Sequence, residues 1–157
     1  MEHIISVLVE NRFGVLSHIS GLFSGHGFNI DSLAVGETLD PTVSRMTIVV
    51  NGDDAIVEQI LKQLNRLIDV IKVQDLTETK YLERELMLIK VSTTSKNRSE
   101  ILEIADIFRA KVIDVQHGSL TIEAAGSSDK LAAMLDLLKT YGIKEIARTG
   151  RIGLARG

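Results

Sequence analysis

The sequence predicts an α+β protein made of two successive units with the element order βαββαβ. Three observations support this fold class. Short apolar runs with alternating polar positions, typical of strands, lie between stretches in which apolar residues recur every three to four positions, typical of helices. The order strand, helix, strand, strand, helix, strand can be followed twice along the 157 residues. A polar stretch without periodicity separates the two passages, so we expect two small domains, each with its own core.

The first passage occupies residues 1–76. A β-rich run at residues 3–10 and a polar break precede a helix that two glycines end. Two strands joined by a turn through Pro41, a second helix capped by Asp53 and a closing strand complete the unit. The helix residues expected to face the core are Val15, Leu16, Ile19, Leu22, Phe23, Ile56, Ile60, Leu64 and Leu67.

The second passage begins after a polar linker at residues 77–84 and runs over residues 85–157. Its first strand leads into a helix opened by Asn97, and Glu100 three residues later fits a capping box. A hairpin, a helix capped by Ser127 and a closing strand follow in the same order as before. We therefore expect two tandem ferredoxin-like domains.

A ferredoxin-like sheet carries its helices on one face only. Its other face and its edge strands then expose apolar surface and unpaired backbone groups, which proteins normally cover. Association of two copies is the usual solution, so we expect a homodimer in which the first domains pair.

Composition excludes several classes of protein. The chain has no cysteine, which removes disulfides, thiolate metal sites and cysteine nucleophiles. No apolar run approaches the ~20 residues of a membrane span, and the first residues lack the pattern of a signal peptide, so we expect a cytoplasmic protein without membrane contact. Residues 1–83 carry 12 acidic and 6 basic side chains, and residues 84–157 carry 9 and 12. The basic residues form no stripe interleaved with aromatic residues, so we expect no nucleic acid partner.

No constellation in the sequence predicts catalysis. The four histidines lie in different segments, without a second ligand at metal spacing. No serine, histidine and acid set occurs in a nucleophile turn, and no pair of carboxylates occupies a defined motif. We therefore predict no catalytic residue and no metal ligand in this chain.

One constellation points to ligand binding. The first strand-to-helix turn contains Asn11 and Gly14, and Asn29 lies where the second strand begins. A helix that starts near a glycine presents unpaired backbone N–H groups to a ligand carboxylate, while the two asparagine amide oxygens can accept from an ammonium group. The residues expected to surround an aliphatic ligand side chain are Val15, Leu16 and Ile30. The same residues are also ordinary turn formers and a strand start, and the pattern alone does not separate these two interpretations.

Longer motifs at these positions resemble a known family. The opening stretch ISVLVENRFGVLSHISGLFSGHGFNIDSL and the later DPTVSRMTIVVNGD are similar to the small regulatory subunit of acetolactate (acetohydroxyacid) synthase. The first unit resembles its ACT domain, an amino-acid-sensing module found on many biosynthetic enzymes. The stretches ERELMLIKV, FRAKVIDV and ARTGRIGLARG also resemble that subunit, so the similarity extends over essentially the whole chain.

The resemblance implies a regulatory subunit of branched-chain amino acid biosynthesis. It implies a separate catalytic large subunit that holds thiamine diphosphate, magnesium and FAD, and no cofactor in this chain. The small subunit would activate that partner and confer feedback inhibition by valine or a related branched-chain amino acid. The effector would lie between two ACT domains, against the first strand-to-helix turn of one and the second strand of the other. The residues that match this family pattern are Asn11, Gly14, Val15, Leu16, Asn29 and Ile30.

An alternative remains open at this point. A stand-alone ACT protein that binds an amino acid and regulates another metabolic enzyme would carry the same turn. The motifs outside the turn favour the acetolactate synthase subunit.

Overall fold

A computed structural model describes all 157 residues, which form two compact units. The first unit comprises residues 1–82 together with residues 151–157, and the second comprises residues 83–150. These bounds differ from the predicted domains, 1–76 and 85–157. The difference arises because most of the predicted linker and the last seven residues pack with the first unit.

The first unit has the predicted element order. Its sheet contains four antiparallel strands in the spatial order β2-β3-β1-β4, so β1 and β3 are central. The elements are β1 Glu2–Glu10, α1 Val15–Gly25, β2 Ile30–Glu37, β3 Val43–Asn51, α2 Asp54–Leu64 and β4 Val70–Asp75. The ferredoxin-like fold predicted from the sequence is confirmed for this unit.

The two helices cover one face of this sheet. Asp53 caps α2 as predicted, because its side chain accepts a hydrogen bond from the Ala55 amide at 2.8 Å. Leu16 and Ile56, which were expected to face the core, are 46% and 38% exposed. Each lies one position away from the buried stripe of its helix. The residues of these stripes are Val15, Ile19, Phe23, Val57, Ile60 and Leu64.

A second buried cluster belongs to the first unit and lies on the opposite face of its sheet. It consists of Ile4, Val49 and Leu76, and Tyr81 packs against it. Leu76 begins a short 3-10 turn, Leu76–Glu78, that follows β4 directly. The predicted linker is therefore in part structured, because it supplies a buried side chain to the first unit.

The last seven residues extend this cover. They contain a short strand, Ile152–Ala155, in which a Cβ added at Gly153 would lie only 3.0 Å from a Leu76 methyl group. The Arg151 guanidinium contacts the Glu2 carboxylate at 2.8 Å. The sequence predicts that this face must be covered, with association as the usual solution, and the chain itself covers part of it. The edge strands β2 and β4 have no further strand beside them, and the homodimer stays a prediction.

His3 joins the start of β1 to two other elements. Its Nδ1 lies 2.8 Å from the Asp75 carboxylate and its Nε2 lies 2.8 Å from the Asp54 carboxylate. Burial lowers the pKa of His3, but hydrogen bonds and Coulombic attraction from the two carboxylates outweigh this effect, so the net pKa is raised above 6.5. The charged imidazolium is therefore the form that this bridge favours.

The second unit repeats the fold. Its strands lie in the spatial order β6-β7-β5-β8, with two helices packed over a buried core. Its elements are β5 Tyr81–Ser92, whose first two residues belong to the first unit, α3 Arg98–Ile107, β6 Lys111–Val115, β7 Ser119–Gly126, α4 Ser128–Leu138 and β8 Ile143–Arg148. The C-terminal strand Ile152–Ala155 is β9. No helix in the structure has the length and apolar character needed to cross a membrane.

The caps of the second unit match the predictions only in part. Ser127 caps α4 as expected, accepting from the Lys130 amide at 3.4 Å. The capping box is wrong, because the Asn97 side chain accepts from the Thr94 amide at 2.8 Å and bonds no helix amide. Glu100 accepts instead from a tyrosine hydroxyl. A threonine just before the helix thus competes for the asparagine, as short polar side chains often do.

Replacing Gly153 with valine is expected to destabilise the first unit by about 1–3 kcal/mol, because the added side chain would overlap Leu76 in a packed cluster. Gly36→Val is the matched control, since nothing lies within 4 Å of a Cβ at that position. Chemical denaturation followed by circular dichroism gives both free energies of unfolding. Equal stability of the two variants would show that β9 does not pack on this face in solution.

The His3 pKa predicts a pH-dependent stability. Because the folded pKa lies above the unfolded value of 6.5, the charged bridge contributes fully below that pH and is lost as the pH rises through the folded pKa. Wild type should exceed His3→Gln in free energy of unfolding by about 1–3 kcal/mol near pH ~5.5, and the difference should shrink near pH ~9. Denaturation at both pH values measures it, and a difference that grows with pH would contradict the charged bridge.

Candidate effector site

The turn between β1 and α1 presents free backbone donors. Gly14 precedes the helix in a left-handed conformation, with φ 86°, and no side chain caps the helix. The His18 amide donates to the Gly14 carbonyl at 3.1 Å, whereas the amides of Leu16 and Ser17 have no backbone acceptor. Nothing lies within 4 Å of a Cβ at Gly14, so a ligand can approach these amides closely.

Asn11 is held in place by the loop between β2 and β3. Its backbone amide donates to the Thr42 carbonyl at 2.7 Å. Its side-chain NH2 group donates to the Pro41 carbonyl at 3.0 Å and to the Glu37 carboxylate at 3.3 Å. The side-chain oxygen of Asn11 is thereby left as a fixed acceptor beside the turn.

The three predicted apolar residues differ in what they offer a ligand. Leu16 is exposed and lines a shallow depression with Phe13 and Ser17. Val15 is only 4% exposed and packs into the core, yet it also lines a pocket with His18 and Ile68. Its contact with a ligand stays a prediction. The helical spacing that buries Ile19 also turns Val15 inward. Ile30 is half-buried against the same core.

The two halves of the predicted site lie at opposite ends of the first unit. Ile30 pairs with Val50, and Val50 pairs with His3 near the start of β1. Asn11 follows the other end of β1, eight positions further along the chain, which corresponds to about 26 Å at ~3.3 Å per residue. Asn29 is exposed beside Ile30 and its side chain makes no hydrogen bond within the chain. A single copy therefore does not bring the two halves together.

The arginine beside the turn has carboxylate partners. Arg12 contacts the Glu10 carboxylate at 2.8 Å and the Asp69 carboxylate at 3.8 Å, so its guanidinium is already paired. The turn thus offers neutral N–H donors and nearby acceptors. Such a set matches the carboxylate and the ammonium group of a zwitterion.

Sequence reasoning missed two parts of this turn. The Ser17 amide becomes a recognisable donor only when the exact helix start is known. The role of Pro41 and Thr42 in fixing Asn11 depends on a contact about 30 residues along the chain, which no local pattern reveals. No group of three or more His, Asp or Glu side chains in the structure is arranged to hold a metal ion.

The fold and this turn define the class of protein. Residues 5–72 match the family model described as the AHAS small subunit-like ACT domain. The first unit is therefore an ACT domain. A second family model, described as the small subunit of acetolactate synthase, matches residues 84–157.

The chain belongs to the acetolactate synthase small subunit family, and the resemblance drawn from the sequence motifs is confirmed. It is 54% identical to a probable acetolactate synthase small subunit of Archaeoglobus fulgidus over 100% of this chain and 98% of that protein. It is 54% identical to the Aquifex aeolicus acetolactate synthase small subunit over 99% of this chain and 81% of that protein.

A solved structure supports the fold assignment. The crystal structure of the acetolactate synthase small subunit from Thermotoga maritima superposes with a TM-score of 0.89 at 42% identity, covering 100% of this chain and 98% of that chain. The two tandem ferredoxin-like domains predicted from the sequence are thus confirmed. Family membership supports a regulatory role beside a catalytic large subunit.

Proposed function

We propose that two copies of this chain bind a branched-chain amino acid, first of all valine, at sites that they share. In this way they activate the large subunit of acetolactate synthase and place it under feedback inhibition. The observation that carries the proposal is the separation of the site. Gly14 and Asn29 are both open to solvent, yet they lie at opposite ends of one unit.

The ligand chemistry follows from the groups at each half. The amides of Leu16 and Ser17 would donate to the ligand carboxylate. The side-chain oxygens of Asn11 and of Asn29 from a second copy would accept from the ammonium group. The exposed Leu16 side chain would contact the aliphatic part of the ligand, with Ile30 of the second copy on its other side.

Shared sites link ligand binding to the pairing of the copies. A two-fold axis that joins the turn of one copy to the β2 start of the other creates two equal sites, as an isologous dimer requires. A ligand that bridges the copies then alters how they pair. A coupling of ~1–3 kcal/mol between this event and the partner enzyme is sufficient for ordinary feedback. Discrimination among valine, leucine and isoleucine would depend on single methylene groups, each worth about 1–3 kcal/mol.

The catalytic chemistry in this proposal belongs to the partner. The large subunit would hold thiamine diphosphate, magnesium and FAD, and would perform the carbon–carbon bond formation. This chain would act through contacts alone, without a catalytic residue or cofactor of its own.

Valine sensitivity of the reconstituted enzyme tests the proposal. Wild-type chain should raise the activity of the purified large subunit, and valine should reduce it again. Gly14→Asp should remove this sensitivity, because its carboxylate would occupy the amides of Leu16 and Ser17. Gly118→Asp, the same charge change at an open glycine of the second unit, should keep it. If the wild-type chain does not change the activity of the large subunit, the proposed function is refuted. If valine inhibits the Gly14→Asp enzyme as strongly as the wild-type enzyme, the proposed site is refuted.

Complementation between two variants tests whether the site is shared. Asn11→Ala and Asn29→Ala homodimers should each bind valine at least about 10-fold more weakly, since each site loses one ammonium acceptor. A mixed dimer has one site with both asparagines and one with neither. Isothermal titration calorimetry should therefore recover wild-type affinity at half the wild-type stoichiometry. Mixing that restores no binding would mean that each site is built from one copy.

A further inference from the structure

Three apolar side chains at one end of the first unit are exposed far more than is usual. Phe13, Leu39 and Ile68 have relative exposures of 108%, 105% and 91%, the highest of the large apolar residues in the chain. They occupy three different loops, which follow β1, β2 and α2. Single exposed apolar residues are common on protein surfaces, but a contiguous group at one place usually marks an interaction site.

Direct contacts bring these three loops together. The Glu10 amide donates to the Asp69 carbonyl at 2.8 Å, which ties the loop of Ile68 to the end of β1. On the other side, Asn11 donates from its backbone to Thr42 and from its side chain to Pro41, which ties the loop of Leu39 to the same strand end. We call Phe13, Leu39 and Ile68 the apolar loop end.

The loop of Leu39 is also internally rigid. The Asp40 carboxylate accepts from the Thr42 amide at 3.0 Å and from its hydroxyl at 2.7 Å. The Val43 amide donates back to the Asp40 carbonyl at 2.9 Å, closing the turn. Leu39 therefore lies on a turn that is already ordered, so binding a partner there would cost little loop conformational entropy.

The proposed pairing of copies covers only part of this end. It places the turn of one copy beside the β2 start of the other, and these points lie about 26 Å apart along the strands of one unit. The copies would therefore lie side by side and antiparallel. Ile68 precedes β4, the edge strand farthest from β2 in the sheet. A second copy placed beside β2 would therefore leave Ile68 free to contact a different chain.

We propose that the apolar loop end is the surface on which the large subunit of acetolactate synthase docks; this inference rests on the proposed function. Phe13 alone can bury ~150–250 Å² of the ~800 Å² that one partner contributes to a standard interface, and the exposed Leu39 and Ile68 add further apolar surface. Their border contains Glu37, Asp40 and the paired Arg12, an acidic excess. The matching surface on the partner is an apolar depression bordered by Lys or Arg.

This position connects docking to effector binding. Phe13 immediately precedes Gly14, the residue that opens the amides of the candidate site. A ligand that changes the turn also changes where Phe13 lies. Linkage then requires that docking of the large subunit and binding of valine alter each other's affinity by the same factor.

The test compares two sets of exposed residues on the full-length chain. The Phe13→Ser, Leu39→Ser, Ile68→Ser variant should bind the purified large subunit at least about 100-fold more weakly by biolayer interferometry. The control, Ile107→Ser with Leu137→Ser, removes exposed apolar side chains of the second unit and should change binding less than about threefold. The double variant Leu39→Ser, Ile68→Ser leaves the turn at Gly14 intact and should still lose at least about 10-fold.

The outcomes of this test distinguish failure of the docking surface from failure of the proposed function. Failure of the wild-type chain to bind the large subunit would remove the proposed function and this inference with it. Tight binding by wild type and by both loop variants would overturn only the docking surface. A Leu39→Ser, Ile68→Ser variant that sediments as a monomer while wild type is a dimer would overturn it too, because a second copy would then cover these two loops. Circular dichroism verifies that each variant is folded. If the triple variant unfolds, the comparison uses the double variant Leu39→Ser, Ile68→Ser.

Discussion

A four-stranded sheet has two faces, and the two helices of a βαββαβ unit can cover only one of them. In the first unit β1 is buried on both sides, with Ile5 in the helix-covered core and Ile4 in the opposite cluster. The second face can be buried only by residues outside the six elements of the βαββαβ unit. Leu76 and Gly153 are such residues. This constraint explains why the first unit includes residues 151–157.

Local patterns predict most of this fold because each helix and strand carries its own periodicity. Strand β9 is different. It has four residues, in a segment rich in glycine and arginine, and the Gly153 amide donates to Thr47 Oγ1 over a separation of 106 positions. No window of sequence contains both partners, so the segment could not be assigned to the first unit from its own pattern. The capping box at Asn97 failed for a different, local reason, because Thr94 offers the same side chain a competing bond.

The candidate site divides in the same way between local and distant information. The left-handed glycine and the free amides after it follow from turn chemistry that three or four residues encode, and the structure has them where the sequence places them. Val15 shows how a residue next to a turn can belong to two environments, because the helix period turns it toward the core while it also lines a pocket. The distance between Asn11 and Asn29 depends on strand register, which only the assembled sheet defines.

Because the strand register separates Asn11 from Asn29, ligand binding in the proposed assembly would depend on the pairing of two copies. A monomer holds each half of the site on a different end of a rigid sheet, so neither half alone satisfies both charges of an amino acid. Ligand affinity then depends on pairing, and pairing depends on ligand, by the same coupling free energy. The turn that carries the free amides also carries Phe13, at the end of the unit that holds the exposed Leu39 and Ile68 as well. A change in backbone conformation at Gly14 would therefore move Phe13 directly, because the two residues are adjacent. The buried core would not need to rearrange.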